Sequence, residues 1–140
     1  MRPGYGGSPA PGRANRKAWC GCRAPDYRDP MATFALIHGG GSTGWDWHLV
    51  APHLERAGHE AVAVDLPTER SDAELSDYVR TVVEAVGTRD HVIVVGHSLG
   101  GFTAPLAAEA LEADGLVFFS AMIPQPGETF MDWWTNTGHD

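Results

Sequence analysis

From Thr33 onward, short apolar runs alternate with longer segments whose apolar residues recur every three or four positions. Thr33-Phe34-Ala35-Leu36-Ile37-His38 reads as a strand that ends at Gly39-Gly40-Gly41. A helix is predicted over 45–57, with Leu49, Val50, Leu54 and Ala57 inward and Gly58 as its stop. Pro52 fits poorly inside it and marks a restarted first turn or a kink. Residues 60–65 form a second strand, closed by Pro67. Leu75, Tyr78, Val79, Val82, Val83 and Val86 then share one helix face. Ser71 with Glu74 reads as a capping box at its start and Gly87 as its stop.

His91-Val92-Ile93-Val94-Val95 is apolar on both alternating faces, as expected of a strand covered by helices on both sides. A helical stretch follows through Phe102, Leu106, Ala107, Ala110 and Leu111, and residues 115–120 make a fourth strand. Parallel neighbours need long crossovers, so four strands with three intervening helices predict an α/β fold: a mostly parallel sheet with helices on both faces. An outer strand of such a sheet lacks its usual neighbour, which predicts a marginal, aggregation-prone product.

Composition divides the chain in two. Residues 1–30 hold six basic and two acidic residues, a net charge of +4, together with five of the seventeen glycines and five of the ten prolines. With few large apolar residues to bury, this stretch cannot offset its ordering entropy and is expected to be a disordered tail before a single domain over 31–140. It lacks the apolar stretch of a secretory signal, and its Gly and Pro content opposes an amphipathic transit helix. Met31, which opens directly into a strand, is an alternative start. Cys20 and Cys22 both lie in the tail without a second pair, so no metal site is expected. No cysteine occurs in residues 31–140, and a cytoplasmic location is the expectation.

Residues 31–140 carry four basic and sixteen acidic residues, a net charge of −12. A polyanion would be repelled, so no nucleic-acid partner is expected. Without a run of about 18 apolar residues, neither is a membrane-spanning helix.

The candidate chemistry lies where the third strand ends. Gly96-His97-Ser98-Leu99-Gly100 is a Gly-x-Ser-x-Gly pentapeptide between a strand and a helix. Gly and Ser are common turn residues, so the flanking elements carry the argument. In so tight a turn, side chains next to the serine would collide, which makes Gly96 and Gly100 necessary. Ser98 would stand above the sheet edge at the positive end of the following helix, and the Leu99 amide would stabilise an oxyanion. The glycine-rich loop after the first strand, His38 to Trp47, could supply a second amide to the same oxygen. Its spacing matches no phosphate-binding loop.

The run from Ala35 to Trp47, the segment from Ala57 to Pro67, Val94-Val95-Gly96-His97-Ser98-Leu99-Gly100-Gly101, and Phe118-Phe119-Ser120-Ala121-Met122-Ile123-Pro124 together resemble the α/β-hydrolase fold family. The likeness is greatest to its branch of plant methylesterases, hydroxynitrile lyases and bacterial relatives, and extends over residues 33 to about 130. It implies Ser98 as nucleophile and the amides of Gly40 and Leu99 as the oxyanion hole. It also implies a small, largely apolar ester substrate and no metal or organic cofactor. Hydroxynitrile lyase or cofactor-free peroxidase chemistry on the same scaffold, or an inactive binding module, remain open alternatives. The family's acid and histidine follow later strands and have no counterpart here, and 125–140 would be the opening of its lid.

Each remaining candidate has an ordinary structural reading beside the catalytic one. His139 and Asp140 tempt as a pair but lie at the terminus. His38 and His97 neighbour the motifs yet should point away from Ser98. His48, His53, His59 and His91 read as surface or core residues, Asp65 as a turn cap, and Glu128 and Asp132 as polar lid residues. Phe130, Met131, Trp133 and Trp134 suit a pocket lining or an uncovered patch, while Trp45 and Trp47 suit packing beside the glycine loop.

Overall fold

A computed structural model describes residues 31–139. The tail 1–30, its two cysteines and Asp140 lie outside the described residues. Strands β1 (Thr33–Ile37), β2 (Glu60–Val64), β3 (Val92–His97) and β4 (Gly115–Phe119) form one sheet in the order β2-β1-β3-β4. Every neighbouring pair is parallel. The central register sets Ile37 beside Gly96, so β1 and β3 end level with each other and their exit loops share one edge.

Side-chain alternation divides the core into two layers. On one face Ala35, Ile37, Val64, Val92 and Val94 meet Val82 and Val86 of α2 (Leu75–Val86) and Ala104 and Ala107 of α3 (Ala104–Ala110). On the other, Leu36 and Val95 pack under Trp47, with Ala51 and Leu54 of α1 (Ala51–Arg56) alongside. Helices therefore cover both faces of the parallel sheet, as the unbroken apolar runs of β1 and β3 require.

The helix predicted over 45–57 is two pieces. A short 3-10 turn spans Gly44–Trp47, and α1 begins at Ala51 with Pro52 in its first turn, where the missing N–H costs nothing. Breaking the helix there turns Leu49 outward, 68% exposed, and leaves Val50 and Ala57 exposed as well, contrary to the inward assignment. The capping box lies one turn later than predicted. The Glu74 side chain accepts from the Asp77 amide and Asp77 Oδ2 accepts from the Glu74 N–H at 3.0 Å, whereas Ser71 sits in a preceding turn. β3 runs two residues beyond its predicted end, through His97, because Gly96 and His97 stay in register with Phe118 and Phe119. An additional helix, α4 (Phe130–Asn136), forms in the segment read as lid-like and is capped by Thr129 and Asp132.

β4 is the uncovered edge. Its Leu116, Val117, Phe118 and Phe119 are exposed, Phe119 to 57%, and it carries no charged residue. β2, at the opposite edge, begins with Glu60, which is paired to Arg89 at 2.6 Å. A charged edge resists pairing with another chain, and an apolar one invites it. Val117→Lys is accordingly expected to reduce aggregation on heating, read by light scattering, while changing unfolding free energy by less than about 0.5 kcal/mol. Leu36→Ala, in the middle of β1 and 1% exposed, is expected to cost about 2–4 kcal/mol in urea unfolding.

Candidate active site

The bend that carries Ser98 is made by close packing of backbone on backbone. β3 ends at His97, and Ser98 takes φ 51° as the chain reverses into a 3-10 turn, Ser98–Gly101. A left-handed φ at a serine is strained, and surrounding contacts must hold it. His91, Glu112 and Ser120 share such a φ. The Ser98 carbonyl accepts from the Met122 N–H at 2.9 Å, which ties the bend to the segment leaving β4.

Three glycines permit the arrangement. A Cβ on Gly96 would stand 2.7 Å from the Ala104 Cβ, one on Gly100 would stand 2.7 Å from the His38 carbonyl oxygen, and one on Gly101 would overlap the Met122 carbonyl. The steric requirement read at Gly96 and Gly100 thus comes less from the serine than from α3 and from the end of β1. Gly101, whose necessity the pentapeptide does not signal, is the tightest of the three.

The glycine loop after β1 lies against this bend. A Cβ on Gly39 would be 3.0 Å from the Ser98 Cβ and 3.5 Å from its Oγ, and one on Gly40 would be 3.0 Å from the Leu99 Cδ2. Among the described residues no backbone acceptor is found for the amide of Gly40 or of Leu99. Asp65, at the end of β2, accepts from the Gly44 amide at 2.7 Å and pins the far end of the loop, the capping role expected of it. The α-helix proper begins only at Ala104, so the charge-stabilising capacity beside Ser98 rests on local amides rather than on a long helix dipole.

None of the seven histidines hydrogen-bonds to Ser98. His38 is fully buried with both ring nitrogens on backbone groups. His97 packs edge-on against Trp47 and lies beside Phe119. His48 stacks on Trp45 and His59 Nδ1 accepts from the Ala32 N–H at 3.3 Å. His91 pairs with Asp114, His53 is exposed on α1, and His139 lies against Trp133 and Trp134. The acids are occupied as well. Hydrogen bonds from the Thr129 hydroxyl and amide hold the Asp132 carboxyl below the usual carboxylate range. Glu128 accepts from the Gln125 N–H and the Asn136 amide. No group of three or more His, Cys, Asp or Glu among the described residues could hold a metal ion.

Beside the loop opens a cavity of about 520 Å³, within the range of small-molecule sites. Gly40 and Leu99 form one wall, Leu75 and Tyr78 of α2 another, and Phe102 and Phe130 a third. Leu75 and Tyr78 belong to the apolar stripe of α2, but helical periodicity cannot distinguish a stripe's core portion from its cavity portion. Of the aromatic cluster near the C-terminus, Phe130 reaches this cavity, whereas Met131 is exposed and the Trp133 indole donates to the Ile123 carbonyl at 3.2 Å. Trp47 is buried as expected; Trp45, 70% exposed, is not, because its 3-10 turn presents it to solvent.

A parallel α/β sheet whose third strand delivers a strained serine beside a glycine loop defines the class, and residues 34–139 match the model of the Alpha/beta hydrolase family. The chain belongs to that family. Tobacco salicylic acid-binding protein 2 is 35% identical over 103 residues, covering 65% of this chain and 40% of that protein. Polyneuridine aldehyde esterase of Rauvolfia serpentina is 33% identical over 108 residues, 69% of this chain and 41% of that protein. The crystal structure of polyneuridine aldehyde esterase superposes with a TM-score of 0.66 at 30% identity, over 78% of this chain and 48% of that one. Tomato methylketone synthase I complexed with 2-tridecanone gives 0.63 at 26% identity, over 78% and 47%. The chain thus spans about two fifths of the length of the curated relatives it matches. Among the described residues no helix is long and apolar enough to cross a membrane.

The glycine contacts make a graded prediction. Gly100→Ala is expected to displace the end of β1 and cost about 1–3 kcal/mol. Gly41→Ala, at φ 66° with nothing within 4 Å of the added carbon, should cost only about 1 kcal/mol of backbone strain. Urea midpoints of the two variants check the order.

Proposed function

We propose that this chain carries the nucleophile and oxyanion hole of a serine hydrolase that cleaves small, largely apolar carboxylic esters. The observation that carries the reading is Ser98 held at φ 51° between β3 and a turn, with the amides of Gly40 and Leu99, which find no backbone acceptor among the described residues, close by. Ser98 Oγ attacks the ester carbonyl and the two amides receive the negative charge that develops on its oxygen. The Ser98 hydroxyl proton passes to the leaving alkoxide, which departs as the alcohol, an acyl-serine remains, and water then releases the acid and restores the serine. The cavity's Leu75, Tyr78, Phe102 and Phe130 side chains suit an apolar substrate portion. The esterase names of several relatives support the same reaction class.

A serine hydroxyl is a weak nucleophile without an adjacent base, and none of the seven histidines hydrogen-bonds to Ser98. Loss of the base in a triad enzyme costs on the order of a millionfold in turnover, leaving roughly a thousandfold from binding and the oxyanion hole. The chain by itself is therefore proposed to be nearly inactive. That geometry also favours a second reading, an inactive binding module of the same fold.

A p-nitrophenyl ester with and without added imidazole, together with a fluorophosphonate probe, separates the two. Imidazole stands in for the missing base, so imidazole-dependent ester cleavage and slow labelling are expected, both abolished in Ser98→Ala. Cleavage and labelling that persist unchanged in Ser98→Ala, or no labelling at all, overturn the hydrolase reading, and the latter result favours the binding module.

A further inference from the structure

We propose that His38 is the positioning residue that aims the Gly40 amide at the oxyanion, a role that rests on the reading of Gly40 given above. His38 is the residue immediately after β1, and its side chain is wholly buried. Its Nδ1 lies 2.7 Å from the Gly39 carbonyl oxygen, and its Nε2 lies 3.1 Å from the Leu66 backbone nitrogen. A carbonyl can only accept and an amide N–H can only donate, so the two contacts together select one form of the ring. It is neutral, with the proton on Nδ1 donated to Gly39 and Nε2 accepting from Leu66.

The consequence follows from peptide planarity. The Gly39 carbonyl and the Gly40 N–H belong to the same peptide unit, which is trans, so the two groups point in opposite directions. Drawing the Gly39 oxygen inward to the imidazole turns the Gly40 N–H the opposite way, away from the ring, in a loop whose Gly40 lies so close to Leu99 that an added Cβ would stand 3.0 Å from its Cδ2. Two glycines in succession leave this peptide free to flip, since neither has a Cβ to oppose the alternative dihedrals. The buried ring supplies the missing constraint. Its other nitrogen is anchored on Leu66, just beyond β2, so the orientation of the amide is referred to the sheet rather than to the loop itself. A preorganised donor stabilises a developing charge without reorganising when the charge appears, and here a single histidine provides the preorganisation.

A long-range proton–nitrogen correlation spectrum of the chain with isotope-labelled histidine reads which nitrogen carries the proton. The residual dipolar coupling of the Gly40 N–H reads the peptide's orientation. The expected results are a proton on Nδ1, a Gly40 coupling kept in His38→Asn, whose amide can still donate to the Gly39 oxygen, and a changed coupling in His38→Leu with the couplings of Ala35 and Val94 unaltered. In the imidazole-supported ester assay, His38→Leu should lower kcat about a hundredfold with little change in KM, and His38→Asn should recover most of that loss. A proton on Nε2, a Gly40 coupling that survives in a folded His38→Leu, or a raised KM at unchanged kcat overturns the proposal. If His38→Leu does not fold, the wild-type ring form and the His38→Asn coupling still decide it. If the wild-type chain shows no Ser98-dependent cleavage, the hydrolase reading fails on its own, while the ring form and the couplings continue to decide what His38 does to the loop.

Discussion

The close approach of two backbones, the end of β1 and the turn that follows β3, is the constraint on which the rest of the site depends. Where the His38 carbonyl meets Gly100 there is no room for a side chain, and the same is true where Gly96 meets Ala104 and Gly101 meets Met122. Parallel pairing brings the two strands to the same edge in register, and these contacts then press their exit loops together. Interiors are packed densely enough that such contacts admit few alternatives. The strained dihedral of Ser98 is held in that setting by these contacts and by the hydrogen bond its carbonyl accepts from the Met122 N–H.

The arrangement divides labour between the two loops. On the proposed reading, the turn after β3 would present a hydroxyl and one amide, and the glycine loop after β1 would present the other amide. Asp65 and the buried imidazole of His38 tie that second loop to the exit of β2. Both anchors are polar side chains satisfied by backbone groups, the condition under which a buried polar group stabilises rather than costs. Beyond them the cavity between α2 and α4 offers an apolar surface, and the polar groups of the lid-like segment, Asp132 and Glu128, are occupied in capping and loop contacts.

Much of the fold was legible because period and composition agreed. The apolar runs of β1 and β3 announce strands covered on both faces, and the Val82–Val86 spacing announces the helix that covers one of them. Ser98 was legible for a similar reason: glycines on both sides, with a strand before and a helix after, leave few other readings. Elsewhere the local signals are ambiguous. Ser71 with Glu74 is the better capping box by residue type, yet Glu74 with Asp77 is the one used, because the choice is made by where the helix docks. The periodicity of 45–57 looked continuous, yet Pro52 started a new helix and turned Leu49 outward. The α4 helix carries its own local signals, a capping pair of Thr129 with Asp132 and apolar residues at 130, 131, 133 and 134, which a reading of 125–140 as lid passes over.

The sequence by itself determined the alternation of strands and helices, the position of the bend and the identity of the serine on it, since these follow from side-chain period and from glycine's freedom over one or a few turns of chain. Tertiary structure alone decided that Gly101 is as constrained as its neighbours, that Leu75 and Tyr78 line a cavity, Tyr78 while also packing against the core, and that His38 spends both nitrogens on backbone groups. Each of those outcomes depends on atoms brought close from distant parts of the chain, Met122 to Gly101 and Leu66 to His38, and no local pattern encodes a contact whose other half lies about twenty or more residues away.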